Sequence, residues 1–416
     1  TQGLNWDTQE LIVKFNRNSD QYRIQVNDYS EYNTDDDYSA GLTKLTTEIM
    51  AGNVPDILDL SGFSVSQLAG KGLIADLDSF FDADPDLNKS DFIPNVLAAF
   101  EVDGKLYSTV SNFNIQGVAG ASSIVGDTPG WTYQQLQDAL AQMPEGCDIF
   151  SYSTTSTDVL SSCLALDMGT LVDWTTGQCN FESQGFIDML KFASQFPNDF
   201  NWDNYEYSDD DDDYNRIAQG KQMLLNTYIS DFSDLPMYDA IFGGSVTYIG
   251  YPTSSGTGNM LNFNNSGYAI SARCENKDAA WQFIRTFFTE DFQKEQYGFP
   301  SNINAYNAKL KEAMTPEYQK DENGNYVLDE NGNKIEVSRG GLGWGDTMIE
   351  LYATTQEQAD KLWELITTTT KVADYSSSIY EIVNEQTPAF FSGQKSAEEV
   401  ARLIQNKANI YVNEQR

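Results

Sequence analysis

Leu42, Leu45, Ile49 and Met50 fall at helical spacing, so one face of the segment beginning near Ala40 is apolar. Gly52 offers the left-handed residue that ends such a helix, and Pro55 blocks its continuation. Ile57 to Leu60 is then a short apolar run, as a strand covered on both faces requires. The polar loop Ser61-Gly62-Phe63-Ser64 follows, and a second helix leads to Leu77. The pattern predicts helix, strand, loop and helix, with the loop leaving the C-terminal edge of a parallel strand. Open α/β sheets bind their ligands at that edge.

The same alternation of periods continues along the chain. Asp7 with Glu10 has capping-box spacing ahead of Leu11, Ile12 and Phe15. Tyr22, Ile24 and Val26 alternate, predicting a strand that empties into residues 28–33. Asp103-Gly104 predicts a tight hairpin turn before Leu106 and Tyr107. Helical spacing recurs through Leu136 and Leu140, over 186–192, from Asn276 through Phe288, and in three C-terminal patterns at 356–365, 375–391 and 396–412. Short strands are expected at 149–150, 223–225, 246–251 and 268–270. Residues 254–267, rich in Gly, Ser and Asn, read as a connection between lobes. Two DENGN copies within 321–337 signal hairpin turns. Their glycine falls at the fourth position, which rules out an EF-hand loop.

Composition narrows the chemistry. The 416 residues are enough for two lobes of ordinary size. With 62 acidic against 25 basic residues the net charge is −37, which disfavours nucleic acid and anionic membrane surfaces. There is no histidine, which removes the commonest general base, the Ser-His-Asp and Cys-His arrangements, and the commonest zinc ligand. Cys147, Cys163, Cys179 and Cys274 show no CxxC spacing, so no metal site is expected. The first three allow one disulfide or free thiols alike. The acidic run Asp209 to Asp213 reads as a solvated loop, because five adjacent carboxylates cannot all face one ion. No run of 18 apolar residues exists, and no signal peptide pattern is present. The opening Thr-Gln-Gly-Leu-Asn-Trp reads as a strand end and loop, as in a trimmed mature chain.

Several segments, in order, resemble the extracellular solute-binding proteins of bacterial ABC importers, in the sugar-binding group of maltose-binding-protein type. They are EIMAGNVPDIL and LAGKGLIADL within 45–77, VDGKLYSTV at 102–110, GWT at 130–132 and AQGKQMLL at 218–225. GYAIS and NKDAAWQFIRTF within 267–287, GFPSN at 298–302 and FFSGQKSAEEVARLI at 390–404 complete the match. The resemblance implies an α/β, two-lobed, periplasmic-binding-protein-like (type II) fold with a hinge and an interlobe ligand cleft. One lobe would hold 1–112 and 263–301, the other 113–262 and 302–416. It also implies a monomer without cofactor or metal, lipid-anchored outside the cell membrane, that hands a sugar or oligosaccharide to permease subunits. The first strand of the family pattern is missing or clipped in this sequence, and the hairpin at 321–337 with GLGWGD after it looks like an insertion.

A neutral sugar presents C–H faces to aromatic rings and hydroxyls to Asp, Asn and Ser. That mixture occurs at several expected strand ends. The first lobe offers Trp6, Tyr32 (beside Tyr29), Ser61 and Phe63. The connection and second lobe offer Asn112, Phe113, Tyr228, Asp231, Trp344 and Asp346. Tyr375 joins them from family position. Trp174, Trp281 and Trp363 sit in helical or turn contexts and read as structural. Two alternatives stay open: the same fold binding a peptide, polyamine or other non-sugar solute, which so acidic a chain would favour, and a glycoside hydrolase using two carboxylates.

Overall fold

A computed structural model describes residues 1, 3–206, 208, 211–253, 258–263, 267–344, 347–375 and 377–414. Its spine is the ten-residue strand Asn112–Ala121, almost wholly buried. Leu224–Ile229 pairs antiparallel along one edge. Val246–Thr247 and Met260–Asn262 lie along the other, and Met260–Asn262 in turn pairs parallel with Lys371–Val372. Phe299–Pro300 joins at the N-terminal end of the spine, opposite Phe113 and Asn112.

Because side chains alternate along a strand, the sheet serves two cores. Phe113, Ile115, Ala119, Leu225, Ile229 and Leu261 face helices Asp234–Ile241, Ile303–Ala313 and Gln356–Thr368. Val118, Leu224 and Met260 face helices Ser156–Leu171, Gln184–Ala193, Ser377–Gln386 and Ala397–Glu414. The first core runs on past Phe113 and Phe299 into a second body, built by helices Trp6–Asn18, Asp78–Ala83, Pro94–Ala98 and Lys277–Ile284. A smaller core in that body gathers Leu45, Ile49, Leu58, Leu60, Leu68, Ile74 and Ala269.

The helix Ala40–Met50 ends as its pattern predicts, with Gly52 at φ +92°. Ile57–Asp59 is a strand, but its ladder partner is Tyr268–Ile270 in antiparallel register, which corrects the expected parallel strand. Its other side opens on a groove of about 440 Å³ whose far wall is residues 23–27. Those residues form no ladder. Asn16 takes up both the N–H and the C=O of Ile24, so the alternating Tyr22, Ile24 and Val26 stay extended without becoming a strand. The first helix begins earlier than Asp7, because Asn5 accepts from the Thr8 amide and caps it. Ile149-Phe150 is not a strand either; Asp148 and Gln222 make a single parallel bridge there. The strand expected over 246–251 stops at Thr247.

Pro388 divides the 375–391 pattern into two helices. The hairpin at Asp103-Gly104 forms, both residues having positive φ. All four cysteines are free thiols. Of the acidic run, Asp209 and Asp210 lie outside the described residues, while Asp212 caps the helix Asp213–Ala218.

One ion pair fastens the second body. Asp84, 3% exposed, receives Arg285 through Nε (2.7 Å) and a terminal nitrogen (2.8 Å), with Trp281 Nε1 at 2.9 Å. Burial alone would raise the carboxyl's pKa, but Arg285 and the amide of Asp86 outweigh it and hold it at about 2. A depressed carboxylate stabilises the fold at pH above its unfolded value, near 4, and loses that contribution as pH falls toward 2. Asp84→Asn is expected to cost about 2 kcal/mol at neutral pH, since it leaves Arg285 without its counter-charge. Urea unfolding at pH 7 and pH 3 checks this, with a smaller penalty expected at pH 3.

Candidate functional site

The sheet face that carries Val118 changes character along its length. Where helix Ser156–Leu171 covers it, the residues are Val118, Leu224 and Met260. Toward the start of the spine the same face bears Gln116 and Asn114, with Tyr228 opposite Gln116 and Asn262 opposite Asn114, while Asn226 stands opposite Val118. Polar amides on a strand otherwise made of apolar residues mark the part of the sheet that leaves the helical cover.

A cleft of about 500 Å³ lies at this end. One wall is the loop at residues 60–66 together with 99–102, from the body that holds the strand Ile57–Asp59. The other is the C-terminal end of helix Ser156–Leu171 (Leu166, Gly169, Thr170) with residues 371–375. Asn262 and Phe263 pass between the two.

Hydrogen bonds orient the rings. Asn114 Nδ2 donates to the Tyr228 hydroxyl at 2.8 Å, and the Tyr375 hydroxyl donates to Gln116 Oε1 at 3.1 Å. The Tyr251 hydroxyl donates to Asn226 Oδ1 at 2.9 Å. On the opposite wall, Gly62 takes φ +78°, and the Phe63 amide closes a tight turn onto the Leu60 carbonyl. A Cβ at Gly62 would lie 2.8 Å from a Leu42 methyl, so the turn that presents Phe63 depends on glycine. Ser64 then caps the next helix, Val65–Gly70. The charged residues of the walls are engaged: Lys371 meets Asp167 at 2.5 Å, and Glu101 meets Lys89 at 3.0 Å.

The residues expected from sequence divide. Phe63 and Tyr375 line the cleft from opposite walls, and Tyr228 stands on the polar sheet face beside it. Ser61 is in the same loop as Phe63, its hydroxyl held by Asp59 at 2.7 Å. Asn112 and Phe113 are corrections. Asn112 is buried, and its amide donates to the carbonyls of Gln293 (3.0 Å) and Gly298 (3.2 Å). Phe113 is fully buried in the aromatic core with Phe263 and Phe299. Both are framework.

Trp6 (77% exposed) opens the first helix, and Tyr32 packs against Tyr29 with Lys44 Nζ 4.7 Å from its ring centroid. Neither lines the described cleft. Asp231 accepts from the Ser233 amide and hydroxyl in an exposed turn. Trp344 ends one strand of a hairpin paired to Thr347; its side chain, and Asp346 altogether, lie outside the described residues. Asn262, which lines the cleft, and the adjoining sheet-face amides Asn114, Gln116 and Asn226 are not among the residues expected from sequence. The signal was available in Asn112-x-Asn114-x-Gln116, period-two amides within a buried strand.

Among the described residues no group of three or more His, Cys, Asp or Glu could hold a metal, and no helix is long and apolar enough to cross a membrane.

Three solved structures share this architecture over nearly their whole length. The sugar-binding protein MalE of Xanthomonas citri superimposes with a TM-score of 0.58 at 13% identity, covering 100% of this chain and 97% of its own. A putative oligosaccharide periplasmic-binding protein from Synechococcus sp. MITs9220 gives 0.54 at 14%, covering 99% and 96%. The ABC substrate-binding protein Lmo0181 of Listeria monocytogenes, solved with cycloalternan, gives 0.52 at 15%, covering 99% and 97%. A search of curated proteins finds no match. The family model described as bacterial extracellular solute-binding protein matches residues 10–324. The chain therefore belongs to the bacterial extracellular solute-binding protein family.

Proposed function

We propose that the cleft binds a neutral sugar or oligosaccharide and that the chain delivers it to the membrane subunits of an ABC importer. The observation that carries the reading is the pairing of Phe63 and Tyr375 on opposite walls with Asn262 between them, Tyr375 being held by the neighbouring sheet amide of Gln116. Rings supply the stacking surfaces and amides the two-sided hydrogen bonding that sugar hydroxyls need. MalE, Lmo0181 and the Synechococcus protein, by their descriptions, concern sugars or oligosaccharides. Closure of a lobe of 1–112 and 263–301 onto one of 113–262 and 302–416 would bury the ligand between them. The chain acts without catalysis, as a monomer held at the outer face of the cell membrane by a lipid.

A thermal-shift screen of neutral mono- and oligosaccharides, with chromatography of the recovered sugar, tests this. A true ligand at a hundred times its Kd stabilises the native state by about 2.7 kcal/mol. A raised melting temperature with the sugar recovered intact is expected. No shift with any sugar contradicts the reading, and so does turnover.

A further inference from the structure

Three charged side chains line the cleft: Glu101, Lys371 and Asp374. Lys371 is the one cation among the described lining residues, and it does not offer its charge to the cleft. Its ammonium sits 2.5 Å from Asp167 Oδ1, with the two side chains 23% and 10% exposed. Asp167 lies in the last turns of helix Ser156–Leu171, whose C-terminal end forms part of the wall through Leu166, Gly169 and Thr170. A helix C-terminus carries roughly half a negative charge on its unpaired carbonyls. An aspartate there adds to that field, and Lys371 is what offsets it. Glu101 is compensated separately by Lys89, which Asp78 shares at 2.5 Å. The wall therefore carries a helix C-terminus, and its one cation among the described lining residues is already paired with Asp167. The net charge of −37 adds a repulsive background for any anion.

We propose that the cleft sorts sugars by charge, accepting neutral and amine-bearing ones and rejecting anionic ones, and that Asp167 sets this preference by holding Lys371. The inference rests on the sugar reading above. Asp167 is a specificity-determining residue that acts through Lys371 and touches no ligand itself. Burying a carboxylate ligand against this wall without a free cation leaves an uncompensated charge, which is costly in a closed cleft.

The test measures, by calorimetry, a neutral oligosaccharide found in the thermal screen, its amino-sugar analogue and its uronic-acid analogue. The native chain is expected to bind the first two at comparable affinity and the uronate at least about tenfold more weakly, a difference of about 1.4 kcal/mol. Asp167→Asn keeps the shape and releases Lys371, so uronate affinity is expected to rise about tenfold. Asp167→Asn with Lys371→Met is expected to lose that gain. Circular dichroism and unfolding of each variant establish that it is folded. Uronate bound by the native chain as tightly as the neutral sugar overturns the proposal, as does a folded Asp167→Asn variant without the gain; both leave the sugar reading standing. Failure of all three sugars to bind overturns the sugar reading, and this inference with it.

Discussion

Replacing Phe63 and Tyr375 together by alanine is expected to weaken sugar binding about a hundredfold while leaving the chain folded. On the proposed reading each ring would cover a sugar face when the two bodies close, and burying one large apolar side chain is worth roughly 1.5–3 kcal/mol, or about tenfold in affinity at the lower end. The rings stand on opposite walls of a 500 Å³ cleft and are held by unconnected partners, a turn at Gly62 and the amide of Gln116. Their effects should therefore add to within a few tenths of a kcal/mol. Tyr375 is 53% exposed, so its loss spares the fold, whereas Phe63 packs in part against the small core of Leu45 and Leu58, so its loss is expected to cost about 1–2 kcal/mol of stability. Calorimetry on both single variants and the double variant measures the sum. A double variant that binds as the native chain does removes both rings from the site.

The largest stability effect is expected at Gly250. It has φ +79°, and a Cβ there would lie 2.4 Å from the Gly258 carbonyl carbon and 2.7 Å from the Asn259 nitrogen. The obstacle is backbone, so no rotamer change relieves it. The same residue joins the spine strand to its neighbours, its amide donating to Val118 O at 2.9 Å and its carbonyl accepting from Trp131 Nε1 at 2.8 Å. Gly250→Ala combines left-handed strain with a backbone collision, and about 3 kcal/mol or more of lost stability is expected. Gly243→Ala is the control, with φ +67° but nothing within 4 Å of the new Cβ. It isolates the strain and should cost about 1 kcal/mol. Equal losses in the two variants, by urea unfolding, would show that the collision contributes nothing.

Local signals along the chain were legible, and pairings between distant segments were not. Gly52 and Asp103-Gly104 act within a few residues, and each does in the structure what its spacing implies. Whether Ile57–Asp59 pairs parallel or antiparallel depends on Tyr268–Ile270, some two hundred positions away, and nothing in 57–60 encodes that choice. Tyr22, Ile24 and Val26 alternate as a strand should, yet a strand exists only with a partner, and Asn16 occupies the backbone of Ile24 instead.

Helix Ser156–Leu171 escaped notice for a different reason. Val159, Leu160 and the run from Cys163 to Met168 are all buried, so no polar face announces a period. Among the residues lining the cleft, Phe63 and Tyr375 are legible from loop chemistry and resemblance. Asn112 and Phe113 are adjacent and so face opposite sides of the strand, and the amides whose bonds reach Tyr228 and Tyr375 are Asn114 and Gln116, two and four positions on. Which parity faces the cleft follows from where the helical cover stops, which is a property of the assembled layers.

Small-angle X-ray scattering, with and without a sugar that raises the melting temperature, addresses most directly whether two bodies shut on their ligand. A smaller radius of gyration at saturating sugar, and the native value again once the sugar is dialysed away, is the predicted outcome. An unchanged scattering profile, at a concentration that saturates the thermal shift, would contradict closure on the ligand.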